Sequence, residues 1–345
     1  MRIEPVTGPV AGHAVWQYED ASVLAVGVWT ERRPGHGEDA EPLLVHHVPT
    51  GEGVAGVFDG SGGSGSAFAY ESPGGTPRSG AWVGARVARA GVESWFRDGV
   101  GRSAEFDAES LRGRLDVALT GMRPHRRGKL VGSARKDLPT TMAVVRYRLD
   151  GRRAECQALW AGDSRAYVLS PRAGLQALTR DHTVETDALE QLLQDPPLTN
   201  VLCAGGRFEV DSRALLLDLP CVLVCATDGF FGYVDTPAHF ECHLLGALQD
   251  SADAAEWARL LAERVSAYTA DDASLSLVGL GYRDFRQLRR SFGPRARAVL
   301  GRYWGDAART GRSHTELRRW RLEAWDDYRL GYESRMPPPV GEEPE

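Results

Sequence analysis

Long apolar runs are missing from this chain of 345 residues. No stretch approaches the about 18 consecutive apolar residues that a membrane-spanning helix needs, so we expect no association with a membrane. The first residues, from Met1 to Pro5, lack the basic start and the apolar run of a secretory signal peptide. We therefore expect a cytoplasmic protein.

Cysteine is scarce, and lysine is scarcer still. The five cysteines form no C-x-x-C pair, and they are Cys156, Cys203, Cys221, Cys225 and Cys242. Their odd number, and the position of Cys221 and Cys225 within an apolar run, favour buried reduced thiols over disulfides or a zinc site. Lysine occurs only at Lys129 and Lys136 whereas arginine is abundant, a bias that we attribute to GC-rich coding rather than to function.

A large excess of one charge is also missing. The formal net charge is −6, with 42% hydrophobic and 26% charged residues. This composition is that of an ordinary soluble globular protein, long enough for one large domain or two modest ones. Because the balance is acidic, we do not expect nucleic acid as the main partner.

The apolar pattern predicts strands in runs and helices in pairs. Strand-like runs lie near 21–29, 43–48, 53–58, 140–148, 154–160, 164–169, 214–218, 221–226 and 273–280. Apolar residues at helical spacing lie at 81–97, 107–122, 238–249 and 253–268. Between these segments we expect a Gly-, Ser- and Pro-rich loop at 60–80, a polar loop at 123–137 and an irregular flap at 183–200. This order indicates an α+β protein built in layers rather than a regular βαβ alternation.

The composition changes beyond Gly281, so we divide the chain into a main unit at 1–280 and a C-terminal extension at 281–345. Residues 282–335 hold 14 arginines and seven acidic residues, with three tryptophans among them, and helical spacing at 284–303 and 314–330. The extension ends in a Pro- and Glu-rich tail that we expect to be disordered. Three interpretations stay open: helices whose tryptophans pack on the main unit, a docking surface for an acidic or phosphorylated partner, and a minor RNA-binding patch.

Three aspartates stand at the ends of short apolar runs. Asp59 follows the run 54–58, Asp228 follows the run 221–227, and Asp271 precedes the run 273–278. If these buried strands are neighbours, the carboxylates converge, and such a cluster is costly unless protons or a cation neutralise it. Carboxylate, carbonyl and water oxygens suit Mg²⁺ or Mn²⁺ rather than zinc. The cluster predicts a metal-dependent enzyme that acts on phosphate.

A glycine-rich segment follows the first of these aspartates. Gly60, Gly62 and Gly65 match G-x-G-x-x-G. A dinucleotide-binding loop would open a helix in a βαβ unit, but here the segment continues through Pro73 and Pro77 without a second strand. A phosphate loop of the Walker type is excluded because Gly-Lys-Ser/Thr is absent. A flexible Gly/Ser loop remains as an alternative, although it leaves the aspartate at the strand end unexplained.

Seven short stretches resemble, in order and at plausible spacings, the motifs of the type 2C metal-dependent protein Ser/Thr phosphatases (the PPM family, bacterial type). They are Glu38-Asp39-Ala40, the run from Val57 to Gly63, Thr140-Thr141, the run from Gly162 to Tyr167, the run from Leu178 to His182, the run from Cys225 to Gly229, and the run from Asp271 to Ser274. Each stretch is weak by itself, but the ordered set is hard to obtain by chance. The resemblance covers roughly residues 10–280. It implies a four-layer α/β/β/α sandwich, in which helix pairs flank two antiparallel sheets, with the C-terminal helical extension outside it.

The resemblance also implies a centre of two Mn²⁺ or Mg²⁺ ions between the sheets. In that arrangement Asp59 bridges both ions and the Gly60 carbonyl binds one of them. The other ligands implied are Asp228 and Asp271 for the first ion, Glu38 and Asp39 for the second, and Asp137 or Asp163 near a third. The implied reaction is hydrolysis of phosphoserine or phosphothreonine by a metal-activated water, without a covalent intermediate. The implied partners are a phosphorylated protein substrate and a Ser/Thr kinase.

The sequence departs from the family at two positions that matter for catalysis. Ser61 stands where the family commonly has a histidine, a candidate general acid for the leaving alkoxide, and a serine hydroxyl is a poor substitute. The family's phosphate-binding arginine falls on Pro34, so we assign that role to Arg33, one position away, ahead of Arg32. His36 is the nearest histidine that could compensate for Ser61.

These departures support a rival hypothesis of a different class. In it, the chain is a pseudophosphatase that keeps the fold and acts as a binding or scaffolding module through its C-terminal helices. Against this interpretation, the carboxylates of the centre are all present, and clustered acids without a function would destabilise the fold. Enzyme and scaffold differ in whether the chain binds two Mn²⁺ ions.

Overall fold

The computed structural model describes residues 4–5, 13–61, 65, 68–72, 75–102, 106–123, 136–194, 196–304 and 313–338. Gly62 and Gly63 of the glycine-rich motif and the end of the predicted tail, from Pro339 onward, lie outside these residues. Among the described residues, no helix is both long and apolar enough to cross a membrane.

The first of two main sheets has seven antiparallel strands in the order β1-β2-β3-β16-β15-β11-β12. Its strands are β1 (Glu4–Pro5), β2 (His13–Glu19), β3 (Val23–Thr30), β11 (Arg165–Ser170), β12 (Gly174–Ala177), β15 (Cys221–Ala226) and β16 (Ala273–Leu280).

The second main sheet has five antiparallel strands in the order β14-β10-β9-β5-β4. They are β4 (Leu43–His47), β5 (Glu52–Val57), β9 (Met142–Asp150), β10 (Arg153–Ala161) and β14 (Asp211–Asp218). Two small ribbons complete the strands, one of β6 (Phe68–Glu71) with β7 (Pro77–Ser79) and one of β8 (Asp137–Thr140) with β13 (Leu202–Ala204).

Helices cover the outer faces of both sheets. They are α1 (Gly80–Gly99), α2 (Ala108–Gly121), α3 (Ala188–Gln194), α4 (Asp228–Phe231), α5 (Pro237–Asp250), α6 (Ala254–Tyr268), α7 (Phe285–Tyr303) and α8 (His314–Glu333). The side chains of Ser79 and Asp107 accept hydrogen bonds from the main chain of the first turns of α1 and α2, as N-caps do.

The central strands are apolar on both faces, which explains their continuous apolar sequence. In β3, Leu24, Val26 and Val28 belong to the cluster under α5 and α6, whereas Val23 and Ala25 belong to the cluster between the sheets. Helices α1 and α2 bury a third cluster against the second sheet. The predicted four-layer α/β/β/α sandwich is therefore confirmed.

The C-terminal helices α7 and α8 pack over the first sheet. Their buried aromatic side chains, including Phe292, Trp325 and Tyr332, belong to the same hydrophobic cluster as α5 and α6. Trp304, by contrast, is 41% exposed. The extension thus shares the outer core layer of the main unit.

Several short elements were not anticipated from the apolar pattern. Strand β2 mixes polar and apolar residues, and β12 has only four residues. The loop predicted at 60–80 contains the ribbon β6–β7, and the flap predicted at 183–200 contains α3. Such segments carry too few apolar residues for a period to be read, so tertiary contacts decide their conformation.

Candidate metal centre

The ends of three strands meet at one edge of the sandwich. Asp59 follows β5 of the second sheet, while Asp228 follows β15 and Asp271 precedes β16, which are neighbours in the first sheet. There they border a cavity of about 370 Å³. It is lined by Glu38, Asp39, Asp59, Gly60, Ser61, Thr141, Asp163, Pro196, Leu198, Asp228, Asp271 and Asp272. Seven of these twelve lining residues are acidic, and none is a lysine or an arginine.

The main chain at Asp59 is tied to the start of β9. The Asp59 carbonyl accepts hydrogen bonds from the Thr141 amide at 2.9 Å and from the Thr140 hydroxyl at 2.6 Å. The next residue, Gly60, forms an isolated bridge with Thr140. A Cβ atom at Gly60 would lie 2.7 Å from the Glu38 carbonyl oxygen, so only glycine lets the two segments approach this closely.

Asp39 is the most enclosed acid of the cavity, with 2% of its surface exposed. Its carboxylate accepts a hydrogen bond from the Thr227 hydroxyl at 2.9 Å, and its carbonyl accepts one from the Trp29 indole at 3.1 Å. Burial raises its pKa well above the ordinary value, and the charges of Asp272 and Asp228 raise it further.

Asp59 is in the same electrostatic situation. Burial raises the pKa of its carboxyl well above the ordinary value, and the charges of Asp39, Asp163 and Asp271 add to the effect. The carboxyl groups of Asp59 and Asp39 are close enough to interact, so without a cation the pair favours keeping a proton. A divalent cation would remove the need for this proton.

Glu38 is held at the edge of the cavity by three elements. The Ser79 hydroxyl, at the start of α1, donates to its carboxylate, and Arg86 of α1 donates to its carbonyl at 3.0 Å. Its amide donates to the Asp272 carboxylate at 2.6 Å. The pKa of Glu38 is raised by burial and by the charges of Asp272 and Asp271, although the Ser79 hydrogen bond opposes the rise.

Asp272 is a member of the site that the sequence did not single out. Its carboxylate accepts hydrogen bonds from the Arg32 amide at 2.8 Å and from the Glu38 amide, which ties the 31–38 loop to the start of β16. Its main chain also touches Gly229, where a Cβ atom would collide with the Asp272 carbonyl. The only sequence signal for this role was its position beside Asp271.

Asp163 also lines the cavity, from the turn between β10 and β11. Gly162, just before it, has φ of +96°, which suits glycine. His182 holds this turn, since its ring Nδ1 accepts from the Gly162 amide at 3.0 Å and its own amide donates to the Gly162 carbonyl at 2.9 Å. Asp137, the other candidate near a third ion, instead forms an ion pair with Arg123 at 2.8 Å.

The residues assigned to phosphate binding and proton transfer lie in different places. Ser61 lines the cavity. Arg33 is exposed on the 31–38 loop, where its carbonyl accepts from the His36 amide at 2.9 Å, and it is not among the lining residues. His36 lines a neighbouring pocket that also includes Glu38.

The donor set fits a hard divalent cation. The cavity offers carboxylate, carbonyl and hydroxyl oxygens, which Mg²⁺ and Mn²⁺ prefer. Among the described residues, no three Asp, Glu, His or Cys side chains are close enough to bind a single ion together. Carboxylates without a cation repel each other or take up protons, so small side-chain movements would accompany binding.

Comparison with known proteins gives a match in fold. No protein family model and no curated protein matches the sequence. The PPM Ser-Thr phosphatase MsPP from Mycobacterium smegmatis, solved in complex with cacodylate, is 15% identical, with 76% of this chain and 100% of that chain covered at a TM-score of 0.51. A phosphatase from a pathogenic strain of Toxoplasma gondii is 14% identical, with 78% and 95% covered at a TM-score of 0.54. A C. elegans sex determining protein is 19% identical, with 80% and 68% covered at a TM-score of 0.56. The chain therefore has the fold of the PPM-type Ser/Thr phosphatases.

Proposed function

We propose that this chain is a Mn²⁺- or Mg²⁺-dependent phosphoprotein phosphatase that removes phosphate from serine or threonine. The observation that supports the proposal most is the cavity at the sandwich edge, where seven acidic residues meet. The same fold carries phosphatase activity in structures whose sequences are only 14–15% identical. Fold alone does not imply function, so the acidic cavity carries the argument.

The acids of the cavity would hold two ions. Asp59 would serve both ions and the Gly60 carbonyl one of them, with Asp228 and Asp271 on the first ion and Glu38 and Asp39 on the second. Bound divalent cations neutralise phosphate oxygens and lower the pKa of a water molecule. A third ion would lie near Asp163 rather than near Asp137, because Asp137 already forms an ion pair with Arg123 and does not line the cavity.

The chain's own residues position these ligands. Thr140 and Thr141 hold the main chain of Asp59, and Ser79 orients the Glu38 carboxylate. Asp272 holds the loop that carries Glu38. These contacts hold the main chain that carries the ligands, so that side-chain movements suffice when an ion binds.

Proton transfer to the leaving group is the weak step of the proposed reaction. The alkoxide of serine or threonine needs a proton, and Ser61 is a poor donor at neutral pH. General acid catalysis is typically worth about 10²–10⁴-fold. An aryl leaving group needs little such help, so we expect aryl phosphates to be hydrolysed faster than phosphothreonine peptides.

The test compares p-nitrophenyl phosphate with a phosphothreonine peptide in Mn²⁺ and in EDTA. We expect turnover with Mn²⁺ in the wild type, and loss of that turnover in Asp228→Asn and Asp59→Asn. Asp218→Asn is the matched control, because Asp218 lies at the far end of β14 and only pairs with Arg153 at the surface. Undiminished turnover in Asp228→Asn and Asp59→Asn would refute the proposal.

The rival proposal, a pseudophosphatase scaffold, is favoured by two observations. Ser61 replaces the family's histidine, and Arg33 lies on the exposed loop away from the cavity. A calorimetric titration with Mn²⁺ separates the two functions, since two-site binding supports the enzyme and absence of binding supports the scaffold. We propose a phosphorylated protein as partner in either case, with a Ser/Thr kinase as one candidate and the cytoplasm as the location.

A further inference from the structure

A second pocket, of about 260 Å³, adjoins the acidic cavity. We call it the Arg78 pocket, and its lining residues are His36, Glu38, Phe68, Pro77, Arg78, Ser79 and Trp82. Glu38 lines both spaces, and Ser79 of this pocket donates a hydrogen bond to it. A peptide bound in the acidic cavity can therefore continue directly into the Arg78 pocket.

The charge of the Arg78 pocket differs from that of the acidic cavity. Glu38 is its only acidic lining residue, and Arg78 and His36 also line it. Phe68, Pro77 and Trp82 supply apolar walls, and Phe68 is 61% exposed. The pocket thus combines a cationic group with surfaces that pack on aliphatic parts of a peptide.

The described residues do not use all of the hydrogen-bond donors of Arg78. Its Nη1 donates to the Gly35 carbonyl at 2.7 Å, which links β7 to the 31–38 loop. Its Nε is buried and has no hydrogen-bond partner among the residues that the structure describes. A buried donor without an acceptor is unfavourable, and no described residue accepts from the Arg78 Nη2, so the guanidinium keeps a donor for a carboxylate or phosphate.

The ring of Trp82 holds this guanidinium in place. The Arg78 Cζ lies 4.6 Å from the centre of the Trp82 ring, and the Arg86 Cζ lies 4.0 Å from it. Arg86 does not line the Arg78 pocket, and its Nη1 donates to the carbonyls of Glu38 and Trp82. Arg78 forms no ion pair with any described carboxylate, so its charge is available to a ligand.

An arginine on the other side of the acidic cavity, Arg165, is not available to bind a ligand. Arg165 lines the pocket on the far side of Asp163, but its Nε and Nη2 bind the Asp181 carboxylate at 2.7–3.1 Å. Its Nη2 also donates to the Gln191 side-chain carbonyl at 2.8 Å, and its Nη1 donates to the Tyr332 hydroxyl at 3.3 Å. Its role is therefore structural.

We propose that the Arg78 pocket binds an acidic side chain of the substrate, a carboxylate or a second phosphate, close to the phosphorylated residue. This inference rests on the proposed function, because it gives the phosphatase a preference for acidic sequences around its target. Without such a group, seven clustered acids would favour basic sequences instead. Arg78 reverses that preference locally by pairing with the acidic side chain.

The test uses phosphothreonine peptides with two aspartates, one phosphoserine or two lysines placed before or after the target residue. In Mn²⁺, we expect the wild type to have kcat/KM about tenfold higher for the acidic peptides than for the lysine peptides, mainly through KM. Arg78→Gln should bring this ratio near one, and Arg78→Lys should give an intermediate value. Each rate is divided by that for p-nitrophenyl phosphate, so a general loss of activity cancels.

Arg89→Gln is the matched control. Arg89 lies in the middle of α1 and, like Arg78, donates to a main-chain carbonyl, that of Glu41 at 2.9 Å, but it does not line the pocket. This variant should keep the wild-type ratio. A wild type without preference for acidic peptides, or an Arg78→Gln variant that keeps the preference, overturns the inference.

A direct binding measurement separates this inference from the proposed function. Fluorescence anisotropy of a labelled acidic peptide, with Mn²⁺ present, should show about tenfold weaker binding to Arg78→Gln than to the wild type. If no phosphate ester is hydrolysed but this difference is found, the proposed function fails and the pocket stands. If phosphate esters are hydrolysed but Arg78→Gln binds the acidic peptide as tightly as the wild type does, only the inference about the Arg78 pocket fails.

Discussion

Replacing Asp39 by asparagine should stabilise the metal-free protein, although Asp39 lies in the middle of the candidate site. The Asp39 carboxyl is buried, with Asp272 and Asp228 as further negative charges nearby, and its pKa is raised for these reasons. In the unfolded chain the same carboxyl ionises at its ordinary value of 3.8. Folding at neutral pH therefore requires either that it takes up a proton or that it remains as a buried charge.

The size of the effect follows from the cost of a buried charge. An ionised carboxyl that leaves water without a neutralising partner costs several kcal/mol even after its surroundings relax. Asparagine needs no proton, it can still accept from Thr227, and its amide can donate to Asp59. We expect Asp39→Asn to raise the free energy of unfolding by about 1–4 kcal/mol at pH 8 in EDTA.

The pH dependence has a defined sign. Because the pKa of Asp39 is raised in the folded state, its cost is absent below pH 3.8 and grows as the pH rises toward the folded-state pKa. The advantage of Asp39→Asn should therefore be larger at pH 8 than at pH 5. Saturating Mn²⁺ should stabilise the wild type more than the variant, because a cation offsets the charge that the variant lacks.

Urea unfolding at both pH values, in EDTA and in Mn²⁺, measures these differences. Asp20→Asn is a control for which we expect the opposite effect, a decrease in the free energy of unfolding. Burial opposes ionisation of Asp20, but hydrogen bonds from Tyr18, Ser22 and Val23 outweigh it and lower its pKa. That variant should be destabilised by about 1–3 kcal/mol above pH 4, with the loss vanishing at lower pH. The reasoning is refuted if Asp39→Asn is no more stable than the wild type in EDTA at pH 8.

Three further predictions concern the core and the site. Glu241→Leu should lower the free energy of unfolding by about 3–5 kcal/mol, because it leaves Arg295, which donates two hydrogen bonds of 2.7 Å to Glu241, without its partner. Glu241→Leu with Arg295→Leu should recover most of that loss in urea unfolding, and equal losses in both variants would contradict this. Gly60→Ala should weaken Mn²⁺ binding in calorimetry by about tenfold or more, since its Cβ would lie 2.7 Å from the Glu38 carbonyl; unchanged affinity would show that the close approach is not needed. The five buried cysteines should react with a thiol reagent only after unfolding, since burial raises the pKa of each thiol, that of Cys225 to about 12; a fast reaction of the native protein at pH 8 would contradict this.

Glu241 also joins the C-terminal extension to the main unit. Glu241 of α5 is fully buried and binds Arg295 of α7 and Tyr328 of α8, so the extension is joined to the main unit by a buried polar contact as well as by apolar packing. The division at 280 remains a prediction. The Glu241 variants test it, because an independent extension would leave the unfolding of the main unit unchanged.

Secondary structure could be predicted from the sequence wherever a strand or helix is buried on one whole face or on both faces. The predicted strands at 221–226 and 273–280 coincide with β15 and β16, and the predicted helix at 253–268 corresponds to α6. These segments carry enough apolar residues for a period to be read. Short elements with few apolar residues, such as β12 and α3, gave no such signal.

The sequence by itself determined the layered α+β class, the reduced buried cysteines and the aspartates at strand ends, because each depends on local composition and spacing. Only the tertiary structure decided which acids share one cavity. Asp272 and Asp163 join it, and Arg78 rather than Arg33 lines the pocket beside it, through contacts between segments far apart in the chain. The direction in which a loop side chain points depends on how two sheets pack and on hydrogen bonds such as that from Glu38 to Asp272, and no local pattern encodes these.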